Sequence, residues 1–78
     1  MISERLKKVI FTKLGLDDFD IDDDTLANEV PGWDSMSHAS VIIEIEKEYK
    51  IRFRNMEILR LKNLGELQRL VSEKTANS

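Results

Sequence analysis

The chain has 78 residues, with 12 Lys and Arg against 15 Asp and Glu, one His and no Cys, and a formal net charge of −3. A chain this short buries only about 60 to 65% of the surface that its unfolded form exposes, so it can build one modest core but not two lobes around a deep cleft. The lack of cysteine excludes disulfides, thiolate metal sites and a cysteine nucleophile, and the single histidine excludes metal sites that need two imidazoles. The hydrophobic fraction of 41% argues against general disorder. The mild acidity argues against nucleic-acid binding.

No apolar run approaches the roughly 20 residues of a membrane span. The first four residues are not followed by the apolar stretch of a signal peptide. We therefore expect one small soluble domain in the cytoplasm.

Charge is distributed unevenly along the chain. Residues 1–16 carry a net charge of +3, residues 17–34 contain eight acidic residues and no basic one, residues 35–50 carry −1, and residues 51–78 carry +3. The acidic stretch cannot form a packed helix because its charges repel one another and its apolar residues are isolated. It is predicted to be a long ordered loop between more basic segments.

The first segment has the pattern of an amphipathic helix. Its apolar residues recur at spacings of three and four with lysines between them, at Ile2, Leu6, Val9, Ile10 and Leu14. Ser3 is the expected N-cap and Gly15 the expected stop. In the loop that follows, single apolar residues are predicted to anchor the chain to the core, namely Leu16, Phe19, Ile21, Leu26 and Val30, and Pro31-Gly32 is typical of a turn.

The densest apolar pattern comes next and predicts a second helix from about Ser35 to Lys50. Asp34 is the expected N-cap, with its carboxylate accepting from the amide of Ser37, and Trp33 can staple onto the first turn near His38. The β-branched run from Val41 to Ile45 could also be read as a strand, but the length of the segment and its cap favour a helix.

The remainder of the chain predicts a short helix and a final one. Ile51 and Phe53 have the pattern of inward anchors, residues 55–59 are long enough for one or two helical turns, and Asn63 is the expected cap of the last helix. The buried stripe of that helix is predicted to comprise Leu64, Leu67, Leu70 and Val71. The expected fold is all-α: a small four-helix bundle of three main helices and one short helix, with a long acidic loop between helices 1 and 2. The domain is predicted over residues 1–74, with a frayed tail at 75–78.

The acidic loop partly matches a calcium site. Positions 1, 3, 5, 7 and 12 of an EF-hand-like loop would be occupied by Asp18, Asp20, Asp22, Asp24 and Glu29. The match fails at Asp23, where the tight turn needs glycine, and Pro31-Gly32 interrupts the exiting helix. A solvated acidic loop is therefore favoured, with weak binding of divalent cations left open.

Ser35 and His38 could meet on one helix face as a nucleophile and a base. The chain has no Gly-x-Ser-x-Gly elbow, no evident acid to orient the imidazole and too little length for an oxyanion hole, so we expect no enzyme.

Ser35 without His38 indicates a different function, which is a site for a phosphate. The start of a helix offers unpaired amides and the positive end of the helix dipole, which would stabilise a phosphate. The alternative is a serine that merely helps to cap the helix.

The segment Gly32-Trp33-Asp34-Ser35-Met36 follows a long acidic loop and precedes a helix that ends Glu46-Lys47-Glu48-Tyr49-Lys50-Ile51. This arrangement resembles the acyl carrier protein family over nearly the whole chain. The resemblance implies a four-helix bundle and a 4′-phosphopantetheine arm, derived from coenzyme A, on Ser35. The thiol of the arm would hold an acyl or aminoacyl group as a thioester. Asp34 would be recognised by the phosphopantetheinyl transferase.

The same resemblance implies that partners dock on the second helix, where one face carries Met36, Ser40, Ile43, Glu44 and Lys47. Core packing is an equal alternative for Ile43, because Ala39, Ile42, Ile45 and Tyr49 could already fill the buried stripe. Typical fatty-acid carriers have a more acidic second helix, and Gly-Trp-Asp-Ser looks like that of free-standing carriers that modify polysaccharides or build secondary metabolites. We expect a monomeric, specialised carrier that is loaded by a ligase or synthase and serves acyltransferases. The alternative is a small helical interaction or calcium-responsive module without a cofactor.

Overall fold

The computed structural model describes residues 2–17 and 19–76, and of Ser35 only the backbone. Four α-helices follow one another in these residues: α1 (Glu4–Leu14), α2 (Ser35–Tyr49), α3 (Asn55–Leu59) and α4 (Leu64–Ala76). A single 3-10 turn, Ala27–Glu29, interrupts the segment between α1 and α2, and no strand occurs in the described ranges. The predicted all-helical fold is confirmed, and the possible strand at Val41–Ile45 is part of α2. No helix in these ranges is long and apolar enough to span a bilayer.

The ends of α1 are fixed by the two residues that the sequence indicated. Ser3 Oγ accepts a hydrogen bond from the amide of Leu6 at 3.1 Å. Gly15 adopts a φ of +71°, in the left-handed region that lacks a steric cost only for glycine, and its amide donates to the carbonyls of Phe11 and Thr12. Both predicted caps are confirmed.

A tight turn leads into α2. The amide of Trp33 donates to the carbonyl of Val30 at 3.1 Å, and Gly32 has a φ of +83°. Proline at the second position and a positive φ at the third define a type II turn, for which glycine is the favoured third residue. The turn reverses the chain immediately before the start of α2.

Asp34 caps α2 with its side chain. Its Oδ1 accepts from the amides of Met36 at 3.0 Å and Ser37 at 2.8 Å, as predicted for Ser37. Hydrogen bonds from the amide and hydroxyl of Ser37, and then from the amide of Met36, favour the ionised carboxylate and lower the pKa of Asp34 below its ordinary value of 3.8. At the other end, α2 ends at Tyr49, one residue before the predicted boundary at about Lys50. Lys50 is the C-cap and adopts the left-handed conformation.

The core receives a stripe from each long helix and three residues from the connections. The buried apolar residues are Leu6, Ile10 and Phe11 of α1, Val41, Ile42 and Ile45 of α2, Leu64, Leu67 and Val71 of α4, and Val30, Trp33 and Ile51 outside the helices. Leu16, Phe19, Ile21 and Phe53 are partly buried against this cluster, as expected of anchors.

Three core assignments from the sequence are wrong. Leu26 is 42% exposed. It is the N-cap of the 3-10 turn, and its amide donates to the Glu29 carboxylate, which leaves its side chain at the surface. Ala39 is exposed because the buried stripe of α2 runs through Val41, Ile42 and Ile45. Leu70 is only half-buried, at the edge of the α4 stripe.

The loop before α2 is joined to the start of α4 through backbone hydrogen bonds. The amide of Leu64 donates to the carbonyl of Thr25 at 2.9 Å, and the amide of Gly65 donates to that of Asp23 at 3.0 Å. Asn63 Oδ1 accepts from the amide of Glu66 at 2.9 Å, which confirms its predicted capping role. A Cβ on Gly65 would lie 2.8 Å from both Cβ and O of Asp23, so this contact requires glycine.

The short helix α3 is tied to α4 by an ion pair. Glu57 Oε1 accepts from the amide of Arg54 at 2.8 Å and lies 3.0 Å from Lys74 Nζ. The Arg54 amide and then the Lys74 ammonium lower the pKa of Glu57. The helix α4 itself extends through Ala76, two residues beyond the predicted domain end at 74, and the Thr75 hydroxyl donates back to the carbonyls of Val71 and Ser72.

We expect Gly65→Ala to destabilise the protein by about 1 to 2 kcal/mol, although alanine favours helices, because the added methyl group meets backbone atoms of Asp23 that cannot rotate away. Chemical denaturation measures the change. Glu73→Ala, at an exposed position of the same helix, serves as the control and should change stability little. An unchanged or more stable Gly65→Ala protein would contradict the close contact.

We expect Asp34→Ala to lower the melting temperature by about 5 °C near neutral pH, because two amides of α2 lose their acceptor. Since the pKa of Asp34 is lowered on folding, its contribution is complete above its ordinary value of 3.8 and is lost as the pH falls further. The difference in melting temperature between the native protein and the variant should therefore be constant from pH 7 down to about 4 and become smaller as the pH falls below that value. Asp20→Ala, in the exposed loop, is the control, and a pH-independent difference would contradict the role of the charge.

Candidate functional site

Ser35 is the first residue of α2 and lies between two exposed neighbours. Asp34 on one side faces solvent, and the side chain of Met36 on the other is 85% exposed. Both sequence neighbours of Ser35 are therefore accessible to solvent.

The amides at the start of α2 are already engaged. Those of Met36 and Ser37 donate to the Asp34 carboxylate, and that of His38 donates to the Asp34 carbonyl at 2.8 Å. The sequence had suggested that unpaired amides would hold a phosphate, but Asp34 takes these three positions and adds a negative charge beside them. The site is thus poorly suited to capture a free anion, and a phosphate here would need to be held by a covalent bond.

Trp33 and His38 form a fixed pair beside Ser35. The indole Nε1–H donates to His38 Nδ1 at 3.0 Å, and the ring centroids lie 6.1 Å apart. The predicted contact of Trp33 with the first turn is confirmed, and it includes a hydrogen bond as well as apolar packing. Because Nδ1 is the acceptor, the neutral imidazole carries its proton on Nε2. In a hydrolytic triad the same nitrogen would instead carry a proton and donate it to a carboxylate.

The face of α2 that the sequence singled out is accessible. Met36 and Lys47 are exposed, Ser40 and Glu44 are half-buried, and Ile43 is 48% exposed. Of the two readings of Ile43, the structure therefore favours a surface position, since Val41, Ile42 and Ile45 supply the core stripe. Two exposed apolar side chains, Met36 and Ile43, thus lie on this face.

The glutamates of α2 all have intramolecular partners. Glu44 Oε1 lies 3.9 Å from Lys13 Nζ and 4.0 Å from Lys47 Nζ, and Glu46 Oε2 accepts from the amide of Phe53 at 2.8 Å. Glu48 Oε2 lies 2.9 Å from Arg5 Nε, and the Arg5 guanidinium stacks on the ring of Tyr49 at 4.3 Å. Glu44 and Glu48 thus lie beside basic side chains, and Glu46 accepts from a backbone amide.

Two further exposed apolar residues lie on α3, where sequence reasoning had placed no functional residue. Met56 is 63% exposed and Leu59 is 83% exposed. The sequence offered one signal, since apolar residues stand here among Arg52, Arg54 and Arg60. A helix of five residues is too short for its periodicity to show which side faces the core.

Asp22 and Glu29 of the acidic loop accept hydrogen bonds from other residues of the same loop. Asp22 Oδ1 accepts from the amide of Asp24 at 2.9 Å and from the hydroxyl of Thr25 at 3.1 Å, and Glu29 Oε1 accepts from the amide of Leu26 at 2.8 Å. Within residues 2–17 and 19–76, no three histidine or acidic side chains gather in a way that could hold a metal ion. Asp18, the first residue of the calcium-loop pattern, lies outside the described residues.

Comparison with known proteins assigns the chain to a family. The family model described as "Phosphopantetheine attachment site" matches residues 4–71. The solution NMR structure of a holo acyl carrier protein from Geobacter metallireducens is similar to this chain, with 36% sequence identity and a TM-score of 0.85, covering 92% of this chain and 83% of that chain. The curated protein sequences contain no match.

The match to the family model covers most of the chain, and the structural match covers 92% of it. The predicted resemblance is confirmed, as is the expected 4′-phosphopantetheine group. The chain belongs to the acyl carrier protein family, whose members carry phosphopantetheine and are carriers rather than enzymes.

Proposed function

We propose that Ser35 is the attachment residue and that residues 1–74 act as one monomeric carrier domain in the cytoplasm. The observation that carries this proposal is the position of Ser35 as the first residue of α2, between the exposed Asp34 and Met36, in a chain of this family. The attached group supplies the thiol that the chain itself lacks, and that thiol holds an acyl or aminoacyl group as a thioester.

Asp34 makes the Ser35 hydroxyl available for this role. Because Asp34 caps α2 by itself, the Ser35 hydroxyl is not needed for capping and can carry the prosthetic group. Asp34 and Met36 are the exposed neighbours that a phosphopantetheinyl transferase would meet first. We assign Asp34 a recognition role in addition to its cap.

Partners would dock on the surface formed by Met36, Ser40, Ile43, Glu44 and Lys47 of α2. Its accessible apolar groups are Met36 and Ile43, while Glu44 is close to two lysines. Docking through this face would rest more on apolar burial than on charge attraction. Partners would include the transferase, an acyl-loading ligase or synthase, and acyltransferases.

The same charge compensation supports a dedicated pathway. Enzymes that recognise carriers through basic patches gain little from glutamates that already have partners in Arg5, Lys13 and the Phe53 amide. A carrier of this kind would exchange poorly with a general acyl-transfer system. It would serve a small set of enzymes whose docking surfaces match its apolar face.

Attachment at Ser35 is tested by incubating the protein with coenzyme A and a broad-specificity phosphopantetheinyl transferase. We expect the intact mass to rise by one phosphopantetheinyl group in the native protein and not at all in Ser35→Ala. The variant should retain the native melting temperature within about 2 °C, because Asp34 still caps α2.

Ser72→Ala is the matched control, since it removes an exposed hydroxyl on α4, away from α2. It should be modified like the native protein. A Ser35→Ala protein that still gains the mass, or one that fails to fold, would overturn the assignment of Ser35.

The docking surface is tested by steady-state kinetics of the same transferase. We expect Met36→Ser to lower kcat/KM about tenfold, because a side chain that is 85% exposed in the free carrier would be buried in the complex. Glu44→Gln should change kcat/KM less than twofold, because Lys13 and Lys47 already compensate its charge. A larger effect of Glu44→Gln than of Met36→Ser would show that charge dominates docking. Circular dichroism of both variants checks that α2 is intact.

A further inference from the structure

The short helix α3 has an exposed apolar face. Met56 is 63% exposed and Leu59 is 83% exposed. The two residues are three positions apart, so they are neighbours on the surface of the helix. Together they present an apolar group to solvent on a part of the molecule that does not include α2.

The opposite side of α3 is held against the bundle. Ile58 is half-buried against the core cluster. Glu57 Oε1 lies 3.0 Å from Lys74 Nζ of α4, and the same ammonium lies 5.9 Å from the ring centre of Phe53. Because these contacts fix the rotation of the short helix, Met56 and Leu59 remain at the surface.

Arginines surround the exposed apolar face. Arg54 is the N-cap of α3 and Arg60 is its C-cap, so one arginine stands at each end of the helix. Arg52 is exposed in the connection from α2. Within the described ranges, no ion pair involves any of these three arginines. We call the surface that these residues form the α3 patch, which comprises Arg52, Arg54, Met56, Leu59 and Arg60.

The charge of this region is opposite to that of the whole molecule. Residues 50–62 contain five basic residues and one acidic residue and carry +4, whereas the chain carries −3. The single acid, Glu57, is paired with Lys74. The acidic loop meets the chain beyond this region, where the carbonyl of Asp23 accepts from the amide of Gly65. An anionic surface would attract the α3 patch and repel the acidic loop, so it would select one orientation of the protein.

The residue types of the α3 patch favour a surface with phosphate groups above an apolar layer. The planar guanidinium group of arginine binds two phosphate oxygens at once. A side chain that is 83% exposed, as Leu59 is, protrudes from the surface and needs a layer into which it can insert. The interface of a bilayer of anionic phospholipids offers both features. A protein partner would need a preformed apolar pocket with acidic groups matched to three separate arginines.

We propose that the α3 patch binds the surface of an anionic phospholipid bilayer, with Met56 and Leu59 inserted among the headgroups and the three arginines against the phosphates. Such binding is peripheral and reversible, because the inserted apolar area is small. It would bring the carrier and its thioester to the bilayer surface. The inference goes beyond the proposed carrier function and does not depend on attachment at Ser35.

The test is sedimentation of the full chain with vesicles of phosphatidylcholine that contain one third phosphatidylglycerol, compared with vesicles of phosphatidylcholine alone. Each basic residue near an anionic surface contributes about a factor of five to binding, so we expect about a hundredfold preference for the anionic vesicles. Salt at about 1 M should release the protein, because it shortens the range of charge attraction to about 3 Å. Equal binding to both vesicles would overturn the proposal. Absence of binding to the anionic vesicles would also overturn it, and the α3 patch would then fit a protein partner better.

The role of the arginines is tested with the double variant Arg52→Gln, Arg60→Gln. We expect it to bind anionic vesicles about 25-fold more weakly, because two charges near the surface are lost. The matched control is Lys8→Gln with Arg69→Gln, which removes the same charge at exposed positions of α1 and α4. An equal loss in the control would show that net charge, and not the α3 patch, determines binding.

The apolar contribution is tested with Leu59→Ser. We expect about tenfold weaker binding to anionic vesicles, because the leucine no longer inserts. Leu26→Ser is the matched control, since it makes the same change at an exposed leucine outside α3. Equal losses in both variants would contradict insertion through α3. Circular dichroism checks that each variant is folded.

Ser35→Ala separates this inference from the proposed attachment. The variant should bind anionic vesicles like the native protein, although it gains no phosphopantetheinyl mass. Loss of vesicle binding in a folded Ser35→Ala protein would contradict the α3 patch as the binding surface.

Discussion

The arrangement of the helices around Ser35 depends on the hydrogen bonds that the Asp34 carboxylate accepts. By accepting from the amides of Met36 and Ser37, it fixes the residue at which α2 begins, and it does so with a side chain other than that of Ser35. The turn at Gly32 delivers Asp34 to this place, and Trp33 is then buried against the same first turn. This local interaction caps α2 without the side chain of Ser35, the residue proposed to carry the prosthetic group.

Two of the three glutamates of α2 form ion pairs with α1. Arg5 and Lys13 of α1 lie close to Glu48 and Glu44 of α2, so these charges connect the two helices. Exposed ion pairs contribute little stability individually, but they also lower the field that the helix presents to solvent. The accessible groups near Ser35 include the apolar side chains of Met36 and Ile43 and the carboxylate of Asp34.

The sequence predicted the features that are local and missed those that depend on how helices meet. Ser3, Gly15, Asp34 and Asn63 act within a few residues of their partners, so each cap could be read directly. The pairing of Arg5 with Glu48 requires the rotation and depth of α1 against α2, which periodicity does not determine. The exposure of Ala39 follows from the same rotation. Gly65 could not be recognised as a contact residue, because its neighbour Asp23 comes from a loop without a regular pattern.

That loop contact has a consequence for the order in which the molecule assembles. The first turn of α4 finds acceptors for the amides of Leu64 and Gly65 on Thr25 and Asp23, far back along the chain, rather than on neighbouring residues. Closing so long a segment costs entropy before the bonds compensate for it, and these bonds act in addition to the local cap that Asn63 provides. The amides of the first turn of α4 therefore have their acceptors only when residues 23–25 are in place. A change that displaces this part of the acidic loop would also loosen the start of α4.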